Sequence, residues 1–111
     1  MITRTAIFEG RLKEGCEERF FADLHERLIP LWHRFPHAAN IRLLRIAEAD
    51  ADAPPILMIQ QIDYPSMAAL DEAIASPVRA QARAVTMELM EMFEGRFYHV
   101  VSESSGLEQI A

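Results

Sequence analysis

From Thr3 to Leu12 polar and apolar positions alternate, and β-branched and aromatic residues recur, which predicts a strand. Lys13-Glu14-Gly15 is a turn signal. Between Cys16 and Phe35 the period changes to that of a helix. Phe20, Phe21, Leu24, Leu28, Leu31 and Trp32 recur at three- and four-residue steps and share one face, with Glu17 and Glu18 suited to the positive end of the helix dipole. Pro30 falls inside this pattern and cannot donate to the preceding turn, so a kink or a split is expected. Phe35-Pro36-His37 ends the helix.

A second strand follows over Asn40–Ala47 (NIRLLRIA), then a polar loop, EADADAPP, at Glu48–Pro55. The third strand is Ile56–Tyr64 (ILMIQQIDY). Ser66 can cap a helix that begins at Met67 and carries Leu70 and Ile74. Ser76-Pro77 breaks it and starts another over Val78–Phe93, with Val85, Leu89, Met92 and Phe93 on one side and Glu94-Gly95 as its close. Arg96–Glu103 is the fourth strand, and residues 105–111 are expected to be a tail on one domain spanning 1–104. The order β-α-β-β-α-β predicts an α+β, ferredoxin-like fold: a four-stranded antiparallel sheet with its helices on one face.

The strands then raise a question of cover. Each splits into two alternating sets: Met58, Gln60 and Ile62 against Leu57, Ile59, Gln61 and Asp63, or Phe97, His99 and Val101 against Tyr98, Val100 and Ser102. Neither face is polar throughout, yet helices can cover only one. The simplest cover for the other is a second copy of the sheet about a two-fold axis, which predicts a homodimer with a barrel-like space lined by inward polar residues.

Composition narrows the function classes. The 111 residues carry a net charge of −6, which argues against nucleic acid and anionic membrane as partners. No apolar run is long enough to span a bilayer, and MITRTAIFEGRL lacks the apolar core of a signal peptide, so a cytoplasmic location is expected. The single cysteine, Cys16, excludes an internal disulfide and a cysteine-based zinc site. Phosphate loops, nucleophile elbows and zinc signatures are missing, so neither cofactor nor metal is expected. His33 and His37 have metal-ligand spacing, but Pro36 between them ends the helix.

A basic-flanked first strand (ITRTAIF), the pair Phe20-Phe21, the junction IDYPSMAAL and the Ser-Pro break in ASPVRAQAR resemble the dimeric α+β barrel superfamily, in its stress-responsive A/B-barrel or EthD-like branch. The resemblance implies a homodimer whose members include cofactor-independent monooxygenases, cyclases and haem-degrading enzymes. In cyclase-like relatives a catalytic histidine lies two residues after the junction proline, where this chain has Arg79. In the EthD-like branch a histidine precedes the late helix-one proline by two, where this chain has Leu28. By the same matching Arg4, Phe8, Phe21, His25 and Gln60 fall on cavity-lining positions.

Two readings follow. In the first the dimer is a cofactor-independent enzyme acting on a small hydrophobic or aromatic compound. His99 or His25 moves a proton, since an imidazole titrates near working pH, and Arg4 or Arg79 holds a carboxylate or phenolate. In the second it is a binding or structural dimer with a filled barrel, and His99 is a buried histidine satisfied by a neighbour. A cavity of roughly 300 Å³ or more that reaches His99 or His25 favours the first, and one filled by Phe8, Met58 and Phe97 the second.

Overall fold

In a computed structural model, which describes residues 1–104, the alternating N-terminal segment forms β1 (Ile2–Leu12) at the middle of a four-stranded sheet. Its order is β2 (Ile41–Arg45), β3 (Ile56–Tyr64), β1 and β4 (Phe93–Glu103), all neighbours antiparallel. The helices are α1 (Glu17–Asp23), α2 (Ile29–Trp32), α3 (Met67–Ile74) and α4 (Pro77–Leu89). This is the expected α+β, ferredoxin-like fold. The tail expected at 105–111 lies outside the described residues.

The register assigns the two faces. Phe8 pairs with Met58 and Phe97, Ala6 with Gln60 and His99, and Arg4 with Ile62 and Val101, so these residues share the face that the helices cover. On the helices, Phe20, Leu24 and Leu28 lie one turn apart and are 0–1% exposed, as are Met58 and Leu70. Burying each such side chain favours folding by about 1.5–3 kcal/mol, which is why these elements dock here rather than elsewhere.

Three local departures from the sequence expectation have clear causes. The first helical run is split, as expected, but by a π turn that precedes Pro30. Leu24–Leu28 forms a wide π turn in which the amide of Ile29 donates to the carbonyl of Leu24, and Pro30 then sits in the first turn of α2, where no amide donor is required. The second strand is shorter than expected, although the amide of Ile46 still donates to the carbonyl of Leu57 at 3.2 Å. Gly95 is not a helix terminus: α4 ends at Leu89, a 3-10 turn covers Met90–Met92, and β4 already begins at Phe93. Gly95 faces Gly10 across the ladder, both with positive φ (149° and 143°), and a Cβ on either would come within 2.1 Å of the opposite backbone carbonyl. Both positions therefore require glycine.

The expected helix starts are present. Ser66 accepts a hydrogen bond from the amide of Ala69 at 3.1 Å, and Ser76 from that of Arg79 at 3.3 Å with Pro77 in the first turn. The second cap matters for the site, because it fixes where α4 crosses the sheet.

Candidate functional site

Where α4 passes over the β1–β4 half of the sheet, Arg79, Arg83 and Thr86 recur at helical spacing on the side that faces it. Below them, Ala6 pairs with His99, and the small alanine leaves room beside the imidazole. The result is a cavity of about 50 Å³ whose polar walls are Arg4, Gln60, Arg79, Arg83, Thr86 and His99. Trp32 and Phe35, at the end of the first helical run, and Phe97 on β4 supply apolar walls. The space suits ordered water or the polar head of a small ligand and is far below the roughly 300 Å³ of an ordinary small-molecule site.

Electrostatics in the cavity are one-sided. Among the described residues none of Arg4, Arg79 and Arg83 pairs with a carboxylate, although the other ion pairs of the chain involve five different arginines. Burial, then repulsion from Arg79 and Arg83, lowers the Arg4 pKa, while burial raises that of Tyr64, which lies close enough to Arg4 for the two charges to interact. Burial first, and then Arg4, Arg79 and Arg83, push His99 down to about 4. The ring packs edge-on against Phe97 with centroids 5.8 Å apart. At neutral pH it is an uncharged imidazole with one donor and one acceptor nitrogen.

The structure thus gathers Arg4, Gln60, Arg79 and His99 from the residues singled out in the sequence, and leaves three outside. Phe8 shares the same sheet face but is filled in, buried and stacked on Phe97 at 5.5 Å. Phe21 lies under the guanidinium of Arg45, 3.8 Å from its carbon, in a separate hollow with Glu17 and Glu18. His25 is exposed on the π turn beside buried Leu24 and does not line the cavity. His33 is exposed too, and His37 meets Glu72 at 2.6 Å; among the described residues no cluster with metal-ligand chemistry occurs. Sequence reasoning missed Arg83, Thr86, Trp32 and Phe35 as wall residues. The four-residue step from Arg79 to Arg83 was the available signal for the first.

The opposite face of the sheet has a different character. Leu44, Ile59, Ile7 and Tyr98 form an apolar row across all four strands. Next to it, Asp63 accepts two hydrogen bonds from Arg42 (2.9 and 3.0 Å), one from Thr3 (2.7 Å) and one from Asn40 (3.1 Å). The Arg42 bonds, seconded by Thr3 and Asn40, hold the Asp63 carboxyl well below the usual carboxylate range.

No family model matches the chain, and no curated protein does. Its fold is nonetheless shared with solved structures. An EthD-family protein from Bacillus halodurans superposes with a TM-score of 0.72 at 14% identity, covering 94% of this chain and 98% of that one. A DABB-family protein with a ferredoxin-like fold from Mesorhizobium loti gives 0.64 at 15%, covering 95% and 97%. A dimeric ferredoxin-like protein of unknown function from Jannaschia sp. gives 0.66 at 17%, covering 93% and 98%. These likenesses show a ferredoxin-like fold.

Proposed function

We propose that two copies of the chain pair through the open faces of their sheets, and that each copy uses its own cavity, between sheet and helices, to take the polar end of a small hydrophobic or aromatic ligand without metal or cofactor. Pairing is supported by the apolar row Leu44–Ile59–Ile7–Tyr98 and by the 48% exposure of Val100 beside it. Four strands spaced about 4.8 Å apart and some nine residues long present on the order of 600 Å² per copy, so a pair buries on the order of 1,200 Å², enough for a stable interface. The dimeric state of the Jannaschia protein fits this arrangement.

For the cavity, the observation that carries the reading is a neutral, half-buried imidazole grouped with Arg4, Arg79 and Gln60. In this arrangement His99 accepts a proton from a bound ligand, while an arginine steadies the negative charge that the ligand acquires. Trp32, Phe35 and Phe97 take the apolar part. The small volume favours a second reading, a non-catalytic dimer whose cavity is largely filled.

Side-chain NMR of His99 during titration with phenol and with small aromatic acids separates the two. Saturable shifts of the ring nitrogens, lost in Arg4→Gln, support a ligand site. Unmoved resonances at millimolar ligand overturn it in favour of the filled dimer.

A further inference from the structure

We infer that the guanidinium groups of Arg4, Arg79 and Arg83 form a binding site for the carboxylate of a small organic acid, so that the ligand anticipated for this cavity is an anion. The inference rests on the cavity reading above and adds the chemistry that the cavity selects.

The argument begins with charge. Three guanidinium groups converge on one cavity from β1 and α4, and among the described residues none has a carboxylate partner. Elsewhere five arginines are matched, among them Arg42 by Asp63, Arg45 by Glu17 and Arg27 by Glu88, whereas Arg11 and Arg34, which are without such a partner among the described residues, do not line the cavity. Among the described residues, a cluster without counter-charge, with Arg4 and Arg79 half-buried and Arg83 exposed, is a repulsive arrangement that an anion relieves. Shape points the same way. The planar guanidinium fork matches a carboxylate in a two-bond geometry, and about 50 Å³ admits the head of a small acid while the aromatic walls accept its carbon end.

A linkage follows. The charged and titratable groups that act on His99 are Arg4 from β1 and Arg79 and Arg83 from α4, with Tyr64 of β3 acting on Arg4; the walls from the α2 end, Trp32 and Phe35, are uncharged. All three arginines oppose protonation of the imidazole. A seated carboxylate cancels that opposition, so binding the anion favours a proton on His99, and lowering the pH strengthens binding. An imidazole held neutral by its neighbours is also a weak base. The same anion that the arginines capture restores basicity where the ligand lies, which couples capture to readiness for proton transfer.

Formate is the simplest probe, because it remains ionised across the range of interest. Titration at constant ionic strength, followed through the His99 ring nitrogens, is expected to give saturable binding that tightens severalfold from about pH 7.5 to about pH 5.5, with His99 titrating at higher pH in the complex than in the free protein. The Arg79→Gln/Arg83→Gln double variant is expected to bind at least about tenfold more weakly, the equivalent of one lost charged hydrogen bond. Lys13→Gln, on the exposed turn after β1, is expected to bind as wild type. Because Arg83 is exposed and Arg79 only half-buried, the double variant is not expected to unfold, and its amide spectrum checks this. No saturable response to formate, or an equal response in the double variant, overturns the inference. Should phenol move the His99 resonances while formate does not, the anion site fails and the broader cavity reading survives. Formate binding without any effect of phenol supports the anion site and removes the neutral aromatic ligand.

Discussion

Arg42 and Arg4, on opposite faces of one sheet, meet opposite surroundings. Arg42 lies on the open face, its guanidinium locked in two bonds to Asp63, which in turn is held by Thr3 and Asn40. Arg4, on the strand next but one, faces the helices and, among the described residues, meets Arg79 and Arg83 rather than a carboxylate. A cation matched within its own chain stabilises the fold. A cation surrounded by its own kind weakens it slightly. The first arrangement lowers a carboxyl pKa and the second lowers an imidazole pKa, so the two can be told apart by titration.

The strongest perturbation is at the open face. Ile59→Asp places a charge in the centre of the proposed sheet-to-sheet contact and is expected to weaken self-association about a thousandfold, or about 4 kcal/mol, by analytical ultracentrifugation. Association unchanged by this variant would exclude the open face as the interface. Next in size, Asp63→Ala strips Arg42, Thr3 and Asn40 of their common acceptor. A loss of about 2–3 kcal/mol in urea denaturation is expected, moderated because Arg42 can turn toward water. Arg79→Gln in the same assay should change stability by less than about 0.5 kcal/mol, since it removes repulsion together with solvation. Equal losses in the two variants would erase the distinction between the faces.

The pH dependence divides likewise. His99 has a folded pKa of about 4, below its ordinary 6.5, so between these values the unfolded chain binds more protons than the folded one. Its contribution is complete above pH 6.5 and is lost as pH falls toward 4, and His99→Gln should flatten that limb. Asp63 is also depressed, so its contribution is present above the ordinary carboxyl range and lost only in stronger acid. The smallest expected effect is a partial rise of the His99 pKa in Arg79→Gln, read by NMR, against none in Asp63→Asn on the far face.

The layout of the sheet was legible because its signals are local: alternation in Thr3–Leu12, and the caps Ser66 and Ser76 with Pro65 before the first and Pro77 after the second. Gly95 was misplaced because a glycine that ends a helix and one that meets another backbone look alike in a sequence. The distinction depends on Gly10, which is distant along the chain. His99 could be put on the set with Phe97 and Val101, but which set lies under the helices follows from pairing with β1, a non-local fact. His25 borders the apolar stripe in sequence, and only the path of the helix shows it turned outward. Arg83 went unread although the helical step from Arg79 pointed to it.

The wide turn at Leu24–Leu28 also decides what roofs the cavity. Closing a loop of backbone over an additional residue advances everything beyond it by about 100° relative to a regular helix. Loss of any single residue from this stretch would leave Phe20 seated yet swing the Trp32 indole and the Phe35 ring away from His99. The outline of the recess is therefore governed by a count made ten or so positions upstream, and insertions or deletions there can reshape what it admits while every amino acid on its walls stays the same.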